Sequence, residues 1–142
     1  MSTRHAEGIW EGDLLKGKGT VKSESGVLNH PYSFRTRFET EKGTNPEELI
    51  AAAHAGCYSM ALSHMLSQLG NTPTRVHTMA DVTLDKVGDG FKITRILLTC
   101  SAAVPGIDEK TFLETAAKAK IGCPISQALA ATPIELKATL AK

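Results

Sequence analysis

The groups able to do chemistry in this 142-residue chain are its three cysteines, and each sits in a different local setting. Cys57 lies near the middle of the stretch 44–70, TNPEELIAAAHAGCYSMALSHMLSQLG. That stretch opens with a helix start signal: Asn45 as N-cap, Pro46 at the first helical position, and Glu48 at the third, placed for a capping box. Gly70, Asn71 and Pro73 supply the stop. The spacing predicts about 25 helical residues, a rod of roughly 37 Å. Ala51, Ala52, Ala53, Ala55 and Gly56 surround the thiol. So little side-chain bulk invites another backbone to come close, and the helix is read as central and buried. Cys123 falls just before Pro124, at a junction between helices, where the N–H groups of a helix start favour a thiolate. Cys100 belongs to the alternating apolar row Ile96, Leu98, Cys100, Ala102, Val104 and reads as an inert core residue. No two cysteines have C-x-x-C spacing, so a zinc ribbon or thioredoxin motif is absent.

Two other groups enter. His54 precedes Cys57 by three positions and neighbours it on the helix, where it can act as a base or simply pack. A His54/Cys57 metal site lacks further ligands at helical spacing, so neither a metal nor a bound cofactor is expected. The segment YSFRTRF, 32–38, alternates. Read as a strand, it turns Tyr32, Phe34, Thr36 and Phe38 to a core and Ser33, Arg35 and Arg37 the other way. Two guanidinium groups then share one face, which on most sheets means two solvated arginines.

The remaining elements must hold these groups in place. Residues 8–38 read as strands broken by glycine turns, with 41–45 as the link to the long helix. Residues 75–86 form a strand and 87–90 a hairpin loop. Residues 91–104 form a second strand whose phase shifts near Arg95, predicting a bulge. Asp108 caps a helix over 109–120, with Phe112, Leu113, Ala116, Ala117 and Ile121 at helical spacing. Gly122 ends it, Pro124 opens a short helix through 126–130, and 133–140 is a closing strand. Strands, long helix, strands, helix and strand make the class α+β. The length suits a single domain over residues 1–142. A net charge of +1 gives no electrostatic case for nucleic acid or an anionic membrane. No apolar run reaches signal-peptide or membrane-span length, so a cytoplasmic location is expected.

Taken together, these residues resemble a known family. Asn45-Pro46-Glu47-Glu48-Leu49, Ala55-Gly56-Cys57-Tyr58, Val104-Pro105-Gly106-Ile107 and Cys123-Pro124-Ile125-Ser126 are similar to the motifs of the osmotically inducible protein C branch of the OsmC/Ohr family. WEGD at 10–13 and TRFE at 36–39 fit as well. Gly56 departs from the alanine common there, a change between two small residues. The resemblance implies a thiol-dependent peroxidase that reduces organic hydroperoxides to alcohols in oxidative and osmotic stress defence. It implies an intertwined homodimer whose two long central helices are enclosed by mixed β-sheets. By motif it makes Cys57 the attacking thiol and Cys123 the resolving one, joined as a disulfide during turnover, with Arg37 and Glu47 assisting. It points to a dithiol reductant, of lipoyl type rather than thioredoxin. The alternatives are a redox-sensing or ligand-binding stress protein without significant turnover, and a structural stress protein with buried thiols.

The chemistry sets requirements of its own. A thiol is only a few per cent ionised at neutral pH, and the thiolate is the nucleophile. A buried mid-helix cysteine receives no help from a helix start, and burial raises its pKa. A cation is therefore needed. Arg37 is the candidate, with Glu47 to hold it. Glu47 and Cys57 lie ten residues apart, about 15 Å along the helix and about 80° around it. They cannot share a small site on one helix. Two copies crossing antiparallel near Ala52 would bring Glu47 of one level with Cys57 of the other. The expected site is thus composite, with Arg37 travelling with Glu47. Leu49, Ile50, Met60, Leu62 and Met65 are expected in the core, some of them lining a pocket for an alkyl chain.

Overall fold

Turn chemistry organises the first of two units into which the chain divides, Met1–Leu49 and Ile50–Lys142. The computed structural model describes residues 1–142. In the first unit β1 (Ala6–Glu11), β2 (Lys18–Ser23) and β3 (Asn29–Tyr32) form an antiparallel sheet in that order. The Trp10 indole N–H donates to the carbonyls of Gly12 and Asp13 at 3.1 and 3.2 Å, closing the β1–β2 connection. Gly17 is required there, because a Cβ would stand 2.3 Å from the Asp13 carbonyl oxygen. No apolar side chain of this unit is buried; Ile9, Leu14, Leu15 and Val27 are all exposed.

The strand expected over 32–38 is not formed. The chain leaves β3 at Tyr32 and enters a short helix, α1 (Phe34–Phe38). Ser33 is its N-cap: its hydroxyl accepts from the Thr36 N–H at 3.2 Å, while its own N–H donates to Thr36 Oγ1 at 2.9 Å. This reciprocal pair is a capping box, with threonine in the third position where glutamate is usual. Two bonds made within four residues outweigh an alternating pattern that had no partner strand. On a strand Arg35 and Arg37 would share a face; on a helix they diverge by about 200°. Arg35 pairs outward with Glu39 and Glu41, and Arg37 turns elsewhere.

The long helix α2 (Pro46–Gln68) begins at the end of the first unit and runs through the second. Asn45 caps it, its Oδ1 accepting from the Glu48 N–H at 2.8 Å. At the far end Gly70, at φ +84°, lets its N–H reach the Ser67 carbonyl and that of Asn71 reach Leu66, both at 3.0 Å. That is a Schellman stop.

β4 (Arg75–Val87) and β5 (Gly90–Ala103) form an antiparallel hairpin. Thr83 pairs with Arg95 and Leu84 with Ile93, so Thr94 is the extra residue of the expected bulge. From β5 the chain crosses through α3 (Glu109–Gly122) and α4 (Pro124–Ala128) to β6 (Ile134–Leu140), which lies parallel to β5. A parallel return needs such a crossover. The core is built where this sheet meets the helices: Ile96, Leu98, Cys100 and Ala102 of β5, Tyr58, Leu62 and Leu66 of α2, and Phe112, Ala116 and Ala119 of α3. The apolar row read on β5 is therefore the buried face, Cys100 included.

Two expectations about burial need correcting. On α3, Phe112, Thr115, Ala116 and Ala119 are buried, while Leu113 and Ile121 stand 43% and 70% exposed and Ala117 is exposed as well. The buried stripe combines the Phe112 ring with the small Ala116 and Ala119, and the Thr115 hydroxyl within it is satisfied by the Thr111 carbonyl at 2.7 Å. On α2, one face is buried rather than all of it. His54, Tyr58, Leu62 and Leu66 point inward, whereas Ala52, Ala53, Gly56 and Met60, the last at 76%, are exposed in the chain as it stands. Leu49, Ile50 and Met65 are half-buried.

Replacing the fully buried Leu62 by alanine therefore costs about 3 kcal/mol. Leu113→Ala changes stability by no more than about 0.5 kcal/mol. Urea unfolding with an unchanged m-value measures both.

Candidate active site

Cys123 owes its position to Pro124. Proline disfavours helical backbone in the residue before it. Cys123 accordingly leaves the helical region, at φ −58° and ψ 125°, and serves as both C-cap of α3 and N-cap of α4. The bend aims α4 at α2. Cys123 Sγ comes within 2.8 Å of Cys57 Sγ, although 66 residues separate them. Both thiols are free. A disulfide needs only a further approach of somewhat under about 1 Å. Cys123 is fully buried and Cys57 only partly, so a molecule arriving from solvent meets Cys57 first.

Three influences act on Cys57. Burial is the largest and raises its pKa above the ordinary thiol value; the Cys123 sulfur alongside raises it further. The backbone N–H of Ile125, in the first turn of α4, opposes them by favouring the thiolate. Help from a helix start thus exists, contrary to the sequence reading. It comes from α4, across the contact, rather than from α2. Every group that shifts Cys57 lies in its own unit.

Arg37 and Glu47 form the second pair. Arg37 Nη2 approaches Glu47 Oε1 at 2.8 Å, and Arg37 Nε lies 3.3 and 3.2 Å from the two carboxylate oxygens. The contact is a fork against a carboxylate, with side chains 33% and 10% exposed. The Arg37 guanidinium also stands 5.2 Å from the centre of the Phe38 ring. Asn45 connects the two elements involved. Its Oδ1 caps α2, and its Nδ2 donates to the Thr36 carbonyl of α1 at 2.9 Å. The residues predicted from sequence thus assemble as two pairs, Cys57 with Cys123 in one unit and Arg37 with Glu47 in the other.

His54 is fully buried and does not sit as a free base. Its Nε2 lies 2.7 Å from Ser126 Oγ, its Nδ1 has no partner, and burial lowers its pKa below the ordinary 6.5. The sequence reading missed the roles of Asn45 as a tie between α1 and α2, of the Ile125 N–H, and of Ser126. Only the first left a local signal, an amide at an N-cap with a second polar atom to spare. No three His, Cys, Asp or Glu side chains cluster to hold a metal ion, and no helix is long and apolar enough to cross a membrane.

Comparison with known proteins places this geometry in context. Residues 39–138 match the family model described as OsmC-like protein. Peroxiredoxin OsmC of Escherichia coli (strain K12) is 65% identical over 123 residues, covering 86% of each chain. The organic hydroperoxide resistance protein OhrB of Bacillus subtilis (strain 168) is 29% identical over 112 residues, covering 78% of this chain and 80% of its own. Among solved structures, an organic hydroperoxide resistance protein OsmC from Legionella pneumophila superposes with a TM-score of 0.74 at 24% identity, covering 100% of this chain and 98% of its own. That likeness speaks to the fold.

The pKa directions carry a sign for stability. Cys57 and Cys100, both raised chiefly by burial, stay protonated in the fold while the unfolded chain ionises. The reduced protein therefore loses stability as pH climbs from about 8.5 upward. His54, lowered by burial, acts at the other end: its contribution is present above the ordinary 6.5 and lost as pH falls through the folded-state value. Urea midpoints across this range fall on both sides, and Cys57→Ser removes part of the alkaline loss.

Proposed function

The chain belongs to the OsmC-like protein family, and on that premise we propose that it is a thiol-dependent peroxidase that reduces organic hydroperoxides to alcohols through Cys57 and Cys123. The observation that carries this reading is the 2.8 Å approach of the two sulfurs, with the outer one reachable and the inner one sealed. The Cys57 thiolate attacks the terminal oxygen of the hydroperoxide. The O–O bond breaks, an S–O bond forms, and the leaving alkoxide takes up a proton to become the alcohol. The Cys123 thiol then displaces water from the Cys57 sulfenic acid and forms the disulfide. A dithiol, of the lipoyl type to which the resemblance points, returns both sulfurs to thiols and is itself oxidised to a disulfide.

We assign Arg37 and Glu47 to the same site, supplied by a second copy of the chain. Two observations support this. Cys57 is raised rather than activated within its own unit, so a cation must come from elsewhere. The Met1–Leu49 unit buries no apolar side chain of its own, and the Ala52, Ala53, Gly56 and Met60 face of α2 is uncovered. A three-stranded sheet without a core and a bare strip of small residues on a helix call for a partner. In the dimer, the Arg37 guanidinium stabilises the thiolate and hydrogen-bonds a peroxide oxygen, while Glu47 fixes the guanidinium in place. The protein acts in the cytoplasm on hydroperoxides with apolar tails.

Steady-state consumption of cumene hydroperoxide with a dithiol tests the activity. Cys57→Ser abolishes turnover, and Cys123→Ser leaves Cys57 to advance to the sulfinic acid, seen as a gain of two oxygens by mass spectrometry. A wild-type protein that forms the disulfide reversibly without turnover is a sensor instead. Mixed dimers of Glu47→Gln and Cys57→Ser subunits test the composite site. Each homodimer is impaired, yet the mixed dimer keeps one intact site of two and about half of wild-type activity. No recovery in the mixed dimer, or full activity in a monomer, overturns the shared site.

A further inference from the structure

Three positions before Cys57 on α2 stands His54, and three positions after Cys123 on α4 stands Ser126. Each is about one helical turn from its cysteine. The four side chains meet as two rungs between the same two helices: Cys57 to Cys123 at 2.8 Å, and His54 Nε2 to Ser126 Oγ at 2.7 Å. The second rung is shut away from water, since His54 and Ser126 are 0% and 5% exposed. Without Ser126 the imidazole would be left with both nitrogens unpaired, because Nδ1 already has no partner. The helix on the other side of the rung is short. α4 has five residues, too few to be stable by itself. Cys123 is held from one side as the C-cap of α3, and Ile125 and Leu129 pack on the core, but the fine placement of Cys123 and of the Ile125 N–H against Cys57 also depends on what ties α4 to α2.

We propose that His54 and Ser126 are positioning residues for the resolving step. Their hydrogen bond holds the first turn of α4 against α2, so that Cys123 reaches the Cys57 sulfenic acid before a second hydroperoxide does. The proposal rests on the peroxidase reading above. Two reactions compete for that sulfenic acid. In one, the Cys123 thiol displaces water and an S–S bond forms. In the other, a second hydroperoxide transfers an oxygen atom, giving Cys57 sulfinic acid and a second molecule of alcohol. The first is intramolecular, so its rate follows how well the two sulfurs are held together; the second does not. Loosening the clamp shifts the partition toward the sulfinic acid.

The test uses the reduced full-length protein, titrated with cumene hydroperoxide and analysed by intact mass. Ser126→Ala raises the ratio of sulfinic acid to disulfide about tenfold, whereas Ser126→Thr, which keeps the hydroxyl, stays near wild type. The same loosening lowers the equilibrium constant for closing the disulfide about tenfold, so the reduction potential of the Cys57–Cys123 couple becomes less negative by about 30 mV. If Ser126→Ala is too unstable to purify, the double variant His54→Leu/Ser126→Ala removes both polar partners and leaves none unpaired. It gives the same shift in partition. An unchanged ratio in whichever variant folds, even with a lower melting temperature, makes the bond merely structural and overturns the proposal. A wild-type protein that forms no disulfide with the hydroperoxide sinks the peroxidase reading instead. In that case the potential measured in a dithiol buffer still decides whether the clamp acts on the two sulfurs.

Discussion

A proline that forbids a helix from continuing, set against a second helix carrying a thiol, is the constraint on which the rest depends. Pro124 breaks the path at Cys123, and the bend turns α4 toward α2. Both sides are anchored by apolar packing. Tyr58, Leu62 and Leu66 seat α2, and Phe112, Ala116 and Ala119 seat α3, on the row Ile96, Leu98, Cys100 and Ala102. The crossover from β5 to the parallel β6 then closes the path around the bend. The sulfurs approach to 2.8 Å because four elements leave them little other room. Neither a charge nor a covalent link is needed to bring them there.

That packing creates a conflict. The burial that brings the sulfurs together also favours the neutral thiol, and the reactive species is the thiolate. One backbone N–H, from Ile125, works against this within the unit. In the proposed dimer an arginine held by a carboxylate supplies a second counterweight. Arg37 and Glu47 form such a pair, with both carboxylate oxygens engaged. Glu47 keeps the guanidinium from being a lone, half-buried charge, so that its field can act on a neighbour at little desolvation cost. In the composite reading, division of labour follows from chain geometry: a helix cannot bring residues ten apart to one point, but two such helices crossing can.

Much of this was legible in the residues, and for a consistent reason. The ends of α2, the cap at Asp108 and the helix break at Cys123 arise from interactions within a few residues, and the β4–β5 hairpin, its bulge and the apolar row on β5 leave a period-two pattern and a turn signal in the local sequence. Such features can be read from neighbours alone. Where local signals competed, reading them failed. YSFRTRF alternates like a strand, yet Ser33 and Thr36 satisfy each other as a capping box and α1 forms. On α3 two apolar stripes were available, and the sequence could not say which the sheet would take.

The sequence by itself determined most of the elements and the family motifs, since these rest on side-chain chemistry and short-range spacing; α1 was the exception. Tertiary structure decided which groups meet. It set Cys123 and the Ile125 N–H on Cys57, Ser126 on His54, and turned Arg37 away from Arg35 toward Glu47. Contacts such as these span up to 72 residues of chain. Their distances depend on how every intervening side chain packs, a property of the assembled core that no local window of sequence contains.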